Sequence, residues 1–96
     1  MIKLHVFFDN HEWTQNTCAR NDRNQAVSTS DENACKFCVL GALYKIYGDP
    51  IPEDILNSVA RVFHNGDIND AMGIITTFND SHTKEEVLTL LRQADV

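Results

Sequence analysis

Thirteen consecutive residues constrain this chain more than any others. From 34 to 46 it reads Ala34-Cys35-Lys36-Phe37-Cys38-Val39-Leu40-Gly41-Ala42-Leu43-Tyr44-Lys45-Ile46, apolar nearly all the way round a helical wheel. A helix of that kind is stable only when it is covered on most sides. The segment therefore predicts the central helix of a small domain, over residues 31–47. Ser30 is placed as N-cap, with Asp31 and Glu32 in a first turn that favours acids and Gly48 as the stop before Asp49-Pro50. Gly41 interrupts the run at a cost of roughly 1 kcal/mol relative to alanine. Close approach of another segment is a reason to tolerate that cost.

The remaining elements are arranged around this segment. Residues 2–8 alternate as Ile2, Leu4, Val6 and Phe8, which suits a strand, while Leu4, Phe7 and Phe8 suit one face of a short helix. The helix is preferred. Residues 16–30 are polar, and Thr17-Cys18-Ala19 and Gln25-Ala26-Val27 can pair across Asn21-Asp22-Arg23-Asn24 as a small hairpin or an extended insert. Pro52 opens a further helix with the stripe Ile55, Val59, Val62 and Phe63, ended by Asn65-Gly66. Asp67 is placed as the cap of a helix whose face is Ile68, Ala71, Met72, Ile75 and Phe78. Thr83-Lys84-Glu85-Glu86 has the form of a capping box ahead of Val87, Leu88, Leu91 and Ala94. The expectation is one mainly α domain over residues 1–96, a compact bundle of four to five short helices. Its expected core includes Leu40, Leu43, Ile46, Val59, Phe63, Ile75, Phe78 and Leu91.

Charge limits the partners. Eight Lys and Arg face fourteen Asp and Glu, a formal net charge of −6. Phosphate backbones are bound by clustered basic residues, so direct nucleic-acid binding is not expected. Residues 49–96 hold Arg61, Lys84 and Arg92 against nine acids, so the acidity is concentrated in that half. No stretch has the length of a membrane span, and the N-terminus has no secretory h-region. With an odd three cysteines, Cys18, Cys35 and Cys38, free thiols in a reducing cytoplasm are expected.

Several groups could carry chemistry. Cys35 and Cys38 form a Cys-x-x-Cys pair, a spacing found in redox sites at helix N-termini and in zinc sites. Placed beyond the first turn of an apolar helix, with no preceding strand, the pair reads instead as buried small hydrophobes. A zinc site would need Cys18 with His64 or His82, and none of these has ligand-like spacing. A nucleophile reading would join Cys38 to His64 and Asn79, and nothing in sequence brings them together. His5, His11, His64 and His82 form no metal-binding pair. No catalytic residue, metal or cofactor is therefore expected. Trp13 and Gln15, with Asn79 and Asp80, are polar-aromatic groups near element ends. They can line a pocket with Cys38 beneath, or they can cap and link the elements structurally.

These marks together resemble a family of small uncharacterised bacterial and phage proteins, a domain of unknown function. The resemblance rests on Trp13-Thr14-Gln15, Ala19-Arg20, Cys38-Val39-Leu40-Gly41-Ala42-Leu43 and Asn79-Asp80, in that order from about residue 11 to 95. Two departures are Phe78, where the family pattern has Trp before Asn-Asp, and Asn24, where it has Gly at the hairpin turn. The resemblance implies a helical fold with a hairpin insert and no known activity.

The function expected from class and charge is a small cytoplasmic interaction module binding a protein with a basic surface, such as a phage-type accessory or anti-defence inhibitor of a host protein. The carboxylates expected at that interface are Asp67, Asp70, Glu85 and Glu86. The alternative is a small-molecule-binding or enzymatic domain using Trp13, Gln15, Cys38, Asn79 and Asp80. An enzyme is the less expected of the two.

Overall fold

The long apolar segment does not form a single helix. In a computed structural model, which describes residues 2–96, its first part turns and pairs into a sheet, and the helix begins only at Val39. The expected start at Ser30 is therefore corrected. Asp31 turns its carboxylate onto the Asn33 amide at 2.8 Å, and the Ala34 amide bonds the Asp31 carbonyl at 3.1 Å. Asp side chains compete with a helical backbone in this way. Lys36 and Phe37 are then held on both sides by neighbouring strands, with the Phe37 side chain fully buried.

Eight elements follow one another: α1 (Leu4–Asn10), β1 (Glu12–Trp13), β2 (Ala19–Arg20), β3 (Lys36–Phe37), α2 (Val39–Tyr47), α3 (Glu53–Phe63), α4 (Ala71–Ser81) and α5 (Lys84–Ala94). The strands form a small mixed sheet in the order β1-β3-β2. β1 runs parallel to β3, with Trp13 opposite Phe37, and β2 runs antiparallel to it, with Ala19 opposite Phe37 and Arg20 opposite Lys36. The expected hairpin survives as one bridge, Arg20 to Ala26, closed through Asn24 at φ 64°. Asn tolerates that left-handed conformation.

α1 is a helix because its i, i+3, i+4 face is the buried one. Leu4, Phe7 and Phe8 are buried, whereas Ile2 and Val6, which a strand would have turned inward, are 41% and 37% exposed. α5 has the full capping box: Thr83 Oγ1 accepts from the Glu86 amide, and the Glu86 carboxylate accepts from the Thr83 amide. α4 is capped by Asp70, not by the expected Asp67; the Asp70 carboxylate accepts from the Gly73 amide at 3.0 Å. A Cβ on Gly73 would overlap the Asp70 carboxylate, so glycine there makes room for this cap. Leu40, Leu43, Val59, Ile75 and Leu91 are buried as expected, together with Phe37, Val39 and Val87. Ile46, Phe63 and Phe78 pack against this core but remain half-buried.

Candidate functional site

Asn79, near the C-terminal end of α4, is fully buried. Its Oδ1 accepts from the Trp13 indole Nε1 at 2.8 Å and from the Val39 amide at 3.1 Å. Its Nδ2 donates to the Thr14 carbonyl at 3.1 Å and to Asp80 Oδ1 at 3.0 Å. A carboxamide has two acceptor sites and two donor hydrogens, and all four are used. The two incoming donors fix the orientation of the amide, because a flipped carboxamide would set N–H against N–H.

The chain around Trp13 is fastened to the same helix end. Gln15 Nε2 donates to the carbonyls of Asn79 at 3.0 Å and His82 at 2.7 Å, filling acceptors that the end of α4 leaves free. The Asn16 amide donates to Asp80 Oδ1 at 2.9 Å. Arg20 adds bonds to Thr14 Oγ1 at 3.0 Å and to the Gln15 carbonyl at 3.3 Å. Trp13, Gln15, Asn79 and Asp80 therefore do converge, but their polar atoms are engaged with one another and with backbone. No buried side-chain nitrogen or oxygen among the described residues lacks a partner.

Cys38 lies one residue before α2 and is its N-cap, with Sγ accepting from the Gly41 amide at 3.2 Å. The placement beyond the first turn of a helix is thereby corrected. Its amide donates to the Cys18 carbonyl at 3.1 Å, and the Cys38 thiol bears directly on the ionisation of Cys18. Gly41 permits the approach: a Cβ there would overlap the Cys18 carbonyl oxygen. The Cys38 thiol, acting as donor, lowers the Cys18 pKa to about 7 against the opposing effects of burial and the Asp80 carboxylate. The same interaction, together with burial, pushes Cys38 up. Cys18 opens onto a cleft of about 630 Å³ whose walls include Ser28, Ser30, Tyr44, Lys45 and Asp49. Burial and the Asp49 carboxylate push the Tyr44 phenol up.

A third feature lies on α3, α4 and the start of α5. Phe63 stacks on Phe78 with centroids 4.5 Å apart, and Phe78 stacks on His82 at 3.7 Å. The column separates two shallow grooves. One, of about 480 Å³, runs past Glu85, Glu86 and Leu90, and the other, of about 440 Å³, past Asp70 and Ile74.

A family model for a family of unknown function, DUF6197, matches residues 3–95. The chain belongs to that family. No curated protein and no solved structure matches it.

In this DUF6197 chain the cysteines pair differently from the sequence spacing. Cys18 and Cys38 meet across β2 and β3, while Cys35, half-buried, stays out of the pair. The sequence places Cys18 in a hairpin strand or as a distant zinc ligand, and neither sets it against Cys38. The signal that could have placed it was Gly41, which requires a close neighbour without naming one. Among the described residues no three His, Cys, Asp or Glu side chains cluster as a metal site would require. Asn79 lies beside the start of α2 through the Val39 amide, but its amide is consumed there, and His64 is exposed at the end of α3. Of the four carboxylates expected at an interface, Asp70 and Glu86 serve as helix caps, and Asp67 and Glu85 are exposed. Among the described residues no helix is long and apolar enough to cross a membrane.

Proposed function

We propose that this chain is a protein-interaction module whose docking face is the Phe63–Phe78–His82 column, and that its partner presents a basic, extended segment. One observation carries the reading. The column is half-buried between two grooves, and carboxylates rim both of them: Glu85 and Glu86 on one side, Asp70 on the other. The stacked rings turn their apolar edges to the grooves, where the aliphatic stems of basic side chains can lie, and a carboxylate rim attracts the charges those stems carry. The net −6 over residues 49–96 adds long-range steering toward a basic partner. Inhibition or modulation of a host protein is one form such binding takes.

The pocket alternative has less support, because the polar atoms of Trp13, Gln15 and Asn79 are spent internally. The test is recovery of tagged protein from its native host, at low and high salt, beside a Glu85→Lys variant. The reading expects a basic protein retained at low salt by the parent chain and lost with high salt or with the variant. A partner held equally by both proteins at both salt concentrations would place the interface elsewhere.

A further inference from the structure

The Cys18–Cys38 pair shares no residue with the aromatic face and has its own chemistry. The antiparallel register that sets Ala19 opposite Phe37 and Arg20 opposite Lys36, continued by one residue, sets Cys18 opposite Cys38. The amide-to-carbonyl bond of 3.1 Å between them continues the ladder to that point. Residues directly opposite in such a ladder have Cα atoms about 4.5–5.5 Å apart, inside the roughly 4.4–6.8 Å range that a disulfide spans. Their side chains also leave the same face of the sheet. The two sulfurs differ in access: Cys38 is 3% exposed, whereas Cys18 borders the open cleft. This is the arrangement of an attacking thiol with a resolving thiol behind it.

We propose that Cys18 is a site of reversible oxidation by hydroperoxides and that Cys38 resolves it as an intramolecular disulfide. The Cys18 thiolate attacks one peroxide oxygen, the O–O bond breaks, and the leaving alkoxide or hydroxide takes up the proton that Cys18 released. Sulfur loses two electrons and the peroxide gains them, leaving a sulfenic acid on Cys18. The Cys38 sulfur then attacks the Cys18 sulfur. The S–O bond breaks, and hydroxide departs as water with the Cys38 proton. In sum, two thiols and one hydroperoxide give one disulfide, one alcohol or water from the leaving group, and one further water. A dithiol reductant restores the pair by exchange. The low pKa of Cys18 supports this order of events, since thiolate is the reactive form.

The test uses the reduced full chain and hydrogen peroxide at neutral pH, read by intact mass and peptide mapping, with circular dichroism confirming each variant's fold. The expected product is monomeric, lighter by two hydrogen atoms, and linked between Cys18 and Cys38. Cys35→Ser should behave as the parent does. Cys38→Ser, whose hydroxyl can replace the thiol as N-cap, should stop at a dimedone-reactive sulfenic acid on Cys18. Cys18→Ser should react about tenfold more slowly or less, as an ordinary thiol does. A disulfide through Cys35, oxidation of Cys35 ahead of Cys18, or a folded Cys38→Ser that forms no Cys18 sulfenic acid would overturn the proposal.

Discussion

Trp13 and Asn79, separated by 66 positions in the chain, are joined by a 2.8 Å bond from the indole Nε1 to the carboxamide Oδ1. That bond ties the sheet to the end of α4, and the same oxygen reaches the first amide of α2. Three parts of the fold thus share one side chain.

Asn79→Ala should therefore be severely destabilising. It leaves the Trp13 indole, the Val39 amide and the Thr14 carbonyl without their partner. At about 1–3 kcal/mol for each buried unsatisfied group, the loss should reach at least about 3 kcal/mol in urea unfolding. Trp13→Phe, which vacates only one of the four sites on Asn79, should cost less. Equal losses would mean that the packing of the indole, and not the carboxamide, holds the region together.

Gly41→Ala sets two effects against each other. Helix propensity favours alanine by roughly 1 kcal/mol. The added Cβ, however, meets the backbone of Cys18, which no rotamer change can move aside. Steric conflict should win: the urea midpoint should fall, and Cys18 should lose its heightened reactivity as the strand is displaced. A more stable variant would show that the strand over Gly41 yields without cost.

The alkylation rate of Cys18 should rise through pH about 7, well below the ordinary thiol value of 9.0, because the Cys38 thiol donates to the ionised sulfur. Removing the donor in Cys38→Ala should move that inflection upward. The same variant deletes the N-cap acceptor for the Gly41 amide and should lose about 1 kcal/mol of stability. An inflection unmoved by Cys38→Ala would assign the low value to another cause.

Glu86 has its pKa lowered chiefly by the Thr83 amide. A carboxylate depressed in the folded state adds stability above its ordinary value of 4.5 and loses it as pH falls through the lower folded value. Glu86→Gln should thus be less stable than the parent near neutrality, and the two urea midpoints should converge in acid. Parallel curves across that range would remove the ionised cap from the account. Glu86 is for the same reason a poor choice for charge reversal, and Glu85 is the cleaner probe of the acidic rim.

Local signals in the sequence carried most of the helices. The Thr83–Glu86 box, Pro52 ahead of α3 and the Leu4, Phe7, Phe8 face are each settled within a turn or two of chain, and α1, α3 and α5 follow from them. The start of α2 was not legible, because nothing between Asp31 and Phe37 records that β1 and β2 will flank β3. Parallel pairing of Trp13 with Phe37 is a long-range event, and it overrides an apolar pattern that also suits a helix. Asp67 is the cap that the sequence suggests for α4; the glycine three residues after Asp70 decides for Asp70 instead, once its missing Cβ is seen to make room for the carboxylate. In the sequence the residue types of Trp13, Gln15, Asn79 and Asp80 suit either a shared cluster or separate structural roles. Their complete mutual satisfaction needed coordinates, and so did the meeting of Cys18 with Cys38.

The interaction reading is tested most directly by titrating isotope-labelled protein with a synthetic arginine-rich peptide, following backbone and aromatic resonances at low and high salt. Shifts should concentrate on Phe63, Phe78, His82 and Glu85, saturate at low salt, weaken as salt rises, and shrink in Glu85→Lys with the fold unchanged. A glutamate-rich peptide should leave those resonances in place. Shifts centred away from the aromatic column, or no difference between the basic and acidic peptides, would contradict the docking face assigned to this chain.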